Sequence, residues 1–157
     1  MLNLIGVHEC KMDAKGRVMI PSALKKQLLP VLEKGFVIKR SVFQKCLELY
    51  PMDEWQEVMG KVNRLNRFVK KNNDFIRMFT AGVKIIEVDA NGRLNIPKDL
   101  MTYSLLKSEL VLSSAVGIVE IWDKNLYEET LKNPELDFGS LAEDVMGSLN
   151  NDLNELS

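Results

Sequence analysis

Apolar and polar residues alternate in short bursts along most of the chain, and the bursts occur in the same order twice. IGVHECKM near the start and VKIIEV past the middle each read as a strand that ends at an aspartate. VMIP and LNIP follow, short strands stopped by a proline, which offers the ladder no donor but suits the first turn of a helix. SALKKQLL and KDLMTYSLL then fit one short helix each. FVIKRS and ELVLSS come next, and CLELY and IVEIW close the two series. In that last pair Leu47 and Leu49, or Val119 and Ile121, alternate with Glu48 or Glu120, which is the period of a strand with one buried face. Each series therefore predicts β–β–α–β–β over about 45 residues.

At the head of each series the likeness becomes literal: DAKGRVMIP at residues 13–21 and DANGRLNIP at 89–97 share Asp, Ala, Gly, Arg, Ile and Pro. An aspartate can bond its own turn backbone, and the glycine after it supplies the positive φ that closes a short hairpin. Both copies thus predict β-hairpin tips. One unit of this size buries too little surface to stand alone, whereas two can pair their sheets into a single barrel that hides its strand edges. The expected fold is α+β and mainly β: two such units paired as one double-split β-barrel, with flanking helices.

The units occupy residues 4–52 and 81–124. Between them, residues 53–80 have helical periodicity, with Met59, Val62, Leu65 and Val69 on one stripe and Lys61, Arg64, Arg67 or Lys71 on another. From Lys61 to Arg77 there are six basic residues and one acid, so this stretch predicts a basic linker helix, its cations either solvated or facing phosphate. Residues 125–157 form an acidic tail, with six acids and no Lys or Arg from Asn133 onward. Ser140 and Glu143 have capping-box spacing, and Leu141, Val145, Leu149 and Leu153 fall on one helical face. That face either docks on a neighbouring subunit or on the barrel, or frays.

Composition narrows the function. The 157 residues are 46% hydrophobic and 27% charged, the profile of a globular protein. There is no apolar run of the roughly 20 residues that cross a bilayer, and the start lacks the basic and apolar regions of a secretory signal, so the expected location is cytoplasmic. Two distant cysteines, Cys10 and Cys46, read as reduced structural thiols, and a single histidine, His8, leaves no His-based metal site or triad. P-loop, dinucleotide and nucleophile-elbow patterns are absent, so neither catalysis nor a cofactor is expected. The net charge of −1 conceals an asymmetry: residues 1–77 carry 15 Lys+Arg against 8 Asp+Glu, and residues 78–157 carry 6 against 14. The first half suits a polyanion, although attraction between halves or subunits would use the same charges.

Within the basic half the DAKGR tip is the natural reader. A two-stranded ribbon fits the major groove of double-stranded DNA, where Arg17 can bond guanine O6 and N7, while Lys15 and Lys11 meet phosphate. Asp13, four residues before Arg17, orders the turn and aims the guanidinium through a charge-assisted bond. Asp89 and Arg93 repeat that spacing in the second tip.

The two DxxxR–(V/L)xIP copies separated by a helical linker, with GVHE before the first and EIWD closing the second, resemble the MraZ family of bacterial transcriptional regulators, a resemblance that spans residues 4–127. Either copy alone is similar only to the wider AbrB-like group of swapped-hairpin DNA binders. The resemblance implies a double-split barrel, assembly into a homo-oligomeric ring, nucleoid association, and binding to direct repeats in the promoter of the division and cell-wall gene cluster. Carried over, the family motif falls on Asp13 and Arg17, and on Asp89 and Arg93. The chain departs from the pattern in DLMTY, where an arginine is usual, in Asn91, which stands in the second tip where the first has Lys15, and in Ser113 or Ser114 where glycine is usual. A second reading is an interaction module whose partner is a protein, as an antitoxin's is, with the acidic amphipathic tail as its contact.

Overall fold

The computed structural model describes residues 2–156, and side chains within residues 2–149. Residues up to Tyr127 form one compact unit and those from Glu128 a second. The first unit is built from β1 (Val7–Lys11), β2 (Arg17–Met19), α1 (Ser22–Leu28), β3 (Phe36–Arg40), β4 (Leu47–Pro51), α2 (Met52–Val62), α3 (Lys70–Thr80), β5 (Lys84–Ile86), β6 (Arg93–Asn95), α4 (Lys98–Ser104), β7 (Glu109–Ala115) and β8 (Ile118–Asp123). A 3₁₀ segment, Leu29–Lys34, follows α1, and α5 (Lys124–Leu131) continues from β8. Both predicted β–β–α–β–β repeats are present in this first unit.

Their strands interlock. The main sheet runs β1-β7-β8-β4-β3-β5, and β2 pairs with β6 in a separate two-stranded ribbon. Thus β1 of the first repeat lies on β7 of the second, β5 of the second repeat lies on β3 of the first, and every pairing is antiparallel. The repeats also meet at β4 and β8 and again at β2 and β6, which makes the architecture the expected double-split barrel of paired repeats. Val18 and Leu94 turn inward from the ribbon into one apolar core with Phe36, Ile38, Leu47, Leu49, Leu110, Leu112, Val119 and Ile121 from the sheet. Leu24 and Leu28 of α1 and Leu100 of α4 complete it at 1%, 0% and 0% exposure, and each such side chain contributes about 1.5–3 kcal/mol by leaving water.

The other face of the sheet is covered by aromatic residues. Tyr50 of β4 meets Trp55 of α2 edge-on at 5.5 Å, Trp55 stacks on Phe79 of α3 at 5.9 Å, and Phe79 on Phe75 at 5.5 Å. Trp122 and Tyr127 make the matching contact at the end of the second repeat at 5.8 Å. Beneath the first cluster Lys39 is 1% exposed, its ammonium 4.4 Å from the Phe79 ring centre and 3.5 Å from Glu48 Oε1, and it also donates to the Arg40 carbonyl. Burial, only partly offset by Glu48, lowers the Lys39 pKa from its ordinary value. Glu48 faces Glu120 directly across the β4–β8 ladder; Tyr50 donates to the first at 3.0 Å and Trp122 Nε1 to the second at 3.1 Å.

Two helical expectations change. The linker is two helices, because Asn63–Val69 leaves the helical path. The Asn66 side chain accepts the Phe68 amide, and the Asn72 and Asn73 side chains donate to the carbonyls of Asn66 and Arg67, so asparagine chemistry outcompetes the helical periodicity. In the second unit α6 spans Phe138–Leu156, and its cap is Asp137, whose carboxylate accepts the Gly139 amide and the Ser140 hydroxyl. Ser140 lies inside the helix and is not the cap. Leu141, Val145 and Leu149 are 44–57% exposed, and Leu153 lies outside the residues with described side chains. Cys10 and Cys46 are free, and burial pushes their thiols up to about 11 and about 12. Among the described residues no helix is long and apolar enough to cross a membrane.

Candidate nucleic-acid interface

Both tips close in the same way. The Asp13 amide donates to the Arg17 carbonyl at 3.0 Å and the Gly16 amide to the Asp13 carbonyl at 3.0 Å; Asp89, Arg93 and Gly92 repeat this at 2.9 and 2.9 Å. Asp13 Oδ1 accepts the amides of Lys15 and Arg17 at 2.9 Å each, and Oδ2 accepts Arg17 Nε at 2.7 Å. Asp89 does the same for Asn91 and Arg93, with Nε at 3.1 Å. The backbone amides of Arg17 and Arg93 are the first cause that holds each carboxyl below its ordinary pKa, so both stay ionised at neutral pH. With Nε occupied, the Nη edge of each guanidinium is left for an outside acceptor.

The swap explains why the glycine and the Ile-Pro step belong to one motif. The Gly16 carbonyl accepts the amide of Ile96 at 2.8 Å, and the Gly92 carbonyl accepts that of Ile20 at 3.0 Å, so each tip rests on the corner where the other repeat turns from strand to helix. Gly16 has φ +84°, and a Cβ there would sit 3.0 Å from the Ile96 carbonyl oxygen and 3.0 Å from Met101 Sδ. At Gly92, with φ +80°, the nearest atom is the mobile Lys25 Nζ at 3.1 Å. Gly16→Ala is accordingly expected to cost about 2–3 kcal/mol and Gly92→Ala about 1, measured as shifts in urea midpoint.

Arg17 and Arg93 meet on one surface. In the ribbon Arg17 faces Asn95 and Met19 faces Arg93, while Val18 and Leu94 between them point into the core. The pleat therefore sends Arg17, Met19, Arg93 and Asn95 outward together. The two arginines are diagonal neighbours, at about 7–8 Å between Cα atoms. Lys15 is exposed at the first tip. Lys11 is not part of the ribbon face; it ends β1 opposite Glu109.

Sequence reasoning misses Met19 and Asn95, and reads Lys25 as solvated. Lys25 of α1 approaches the second tip at Gly92, where Asn91 replaces the lysine of the first; the equivalent neighbour of the first tip is Met101. Only the pairing across repeats reveals these neighbours. In the linker, Lys70 and Arg77 both pair with Asp74 at 2.9 and 3.2 Å, so part of its basic charge is satisfied locally.

These features define a class, a two-repeat swapped-hairpin protein with a pair of aspartate-aimed arginines on one ribbon. The sequence matches the family described as "MraZ protein, putative antitoxin-like" twice, over residues 4–78 and 78–147. It is 66% identical to a "Transcriptional regulator MraZ" of Christiangramia forsetii over 148 residues, covering 94% of this chain and 96% of that one. A protein of the same name from Flavobacterium psychrophilum is 62% identical over 152 residues, 97% of each chain, and one from Phocaeicola vulgatus is 33% identical over 151 residues, covering 96% of this chain and 97% of that one. The chain belongs to the MraZ family of transcriptional regulators.

Proposed function

We propose that the chain regulates transcription by laying the β2–β6 ribbon into the major groove of double-stranded DNA as a cytoplasmic, nucleoid-associated homo-oligomer. The observation that carries this reading is the pair of outward arginines, each held through Nε by its own aspartate, so that the Nη edge, without a partner among the described residues, can bond a guanine. Asp13 and Asp89 aim them, Lys15 and Lys25 stand at the two tips for phosphate, and Lys11 reaches only the flanking backbone.

A single ribbon makes few base contacts, so useful affinity comes from several subunits engaging linked sites. Head-to-tail assembly into a ring gives every ribbon the same polarity, which fits direct repeats of the kind the family resemblance implies ahead of the division and cell-wall genes. The basic first half and acidic second half of each chain supply complementary surfaces for such contacts. The test is a titration of duplexes bearing zero, one and three direct repeats from upstream of the protein's own gene, at two salt concentrations. Affinity should rise with repeat number and fall with salt. Binding indifferent to the repeats would sink the proposal.

A second reading keeps the interaction module. Its support is α6, whose Leu141, Val145, Met146 and Leu149 are all exposed on a segment without cations. A stoichiometric foreign protein that co-purifies with the full chain, and is lost when residues 133–157 are deleted, would favour it.

A further inference from the structure

The ribbon is symmetric in its arginines and asymmetric in what stands beside them. Arg17 and Arg93 occupy equivalent positions of the two repeats, as do Met19 and Asn95. Because β2 and β6 run antiparallel, Arg17 is paired with Asn95, and Arg93 with Met19. Directly opposed side chains start about 4.5–5.5 Å apart at Cβ, a spacing that lets one address a base and the other its neighbour in the stack. The two pairs are therefore chemically different readers on one scaffold.

Neither neighbour has an evident structural task that would explain its identity. Asn95 is exposed, and its side-chain amide has no hydrogen-bond partner among the described residues. Met19 is 53% exposed on a face that is otherwise polar, and only part of it rests near the second tip, where a Cβ on Gly92 would lie 3.7 Å from its sulfur. Exposing a large apolar chain between two arginines gains nothing for folding. In the groove, by contrast, a carboxamide pairs with adenine N6 and N7, and an apolar group packs on the thymine methyl.

We infer that Asn95 and Met19 are specificity-determining residues: Asn95 selects adenine next to the guanine bonded by Arg17, and Met19 packs against a thymine methyl next to the guanine bonded by Arg93. The inference rests on the ribbon entering the major groove as proposed above. One subunit thus reads a non-palindromic element although its barrel has approximate twofold symmetry. The polarity of a box is then written in the side chains of the ribbon, independently of how subunits assemble.

The experiment is repeated selection of bound duplexes from a library with a randomised central region, using the full-length protein, Asn95→Met and Met19→Asn. Wild type should enrich a non-palindromic motif containing guanines. Asn95→Met should lose the adenine preference at one position adjacent to a guanine, and Met19→Asn should convert a thymine preference to adenine. The guanines should remain in both variants, and affinity for the wild-type motif should fall about 5- to 150-fold, the range of one good base contact. Guanine-containing motifs that are unchanged in both variants overturn the inference while leaving the arginine reading intact. Absence of any enrichment by wild type overturns the groove-binding function and this inference together.

Discussion

Replacing Lys39 with methionine is expected to lower stability by about 3 kcal/mol, more than most single substitutions at polar positions. Methionine fills the space under Phe79, so the loss does not come from a cavity. It comes from Glu48, whose side chain is only 15% exposed and which faces Glu120 across the ladder. The ammonium is the one cation bonded to either carboxylate among the described residues. Without it, two like charges oppose each other at close cross-strand range, with only a tyrosine hydroxyl and an indole N–H to support them. Adding Glu48→Gln to Lys39→Met should restore most of the loss. Urea unfolding of the wild type, the single and the double variant checks this. A double variant no more stable than the single would show that lysine packing, and not charge balance, holds the site.

The larger functional effect is expected from Arg17→Ala. One bidentate arginine contact is worth about 1–3 kcal/mol, roughly 5- to 150-fold in affinity. On a duplex with several repeats the loss recurs at every engaged subunit, so binding should fall by more than about 100-fold and lose its dependence on repeat number. Arg93→Ala should act in the same direction, since both arginines share the ribbon face. Lysine at position 17 is not expected to rescue, because it cannot accept aim from Asp13 and still offer a planar pair of donors. Unchanged folding by circular dichroism with unchanged repeat affinity in Arg17→Ala would remove the ribbon from the interface.

The doubled nonapeptide was legible because turn chemistry is local. An aspartate, a glycine and an arginine at fixed offsets need only their own backbone, and both tips take the form that spacing predicts. The interlocking was not legible in the same way. Val18 would show the same period of burial whether β2 paired within its own repeat or, as it does, with β6. For that reason the carbonyl of Gly16 seeking Ile96, the approach of Lys25 to the second tip, and the facing of Arg17 by Asn95 all lay beyond a one-dimensional reading. The linker shows the opposite failure: Val62, Leu65 and Val69 keep helical spacing, yet three asparagines supply better local bonds and break the helix between them. Asp137 takes the cap from Ser140 by the same local competition.

The pairing of β1 with β7 also sets a schedule for biosynthesis. Among the described residues the ladder partner of Val7–Lys11 in the main sheet is Glu109–Ser113, which is synthesised only after both tips. At about 5–20 residues per second, the interval is on the order of 5–20 s. During that time the first strand lacks its ladder partner in the main sheet. Contacts this distant in sequence also make the closing step slow. The last strands to be synthesised are those that lock the first, so release of the second repeat, and not collapse of the first, times the appearance of a competent ribbon.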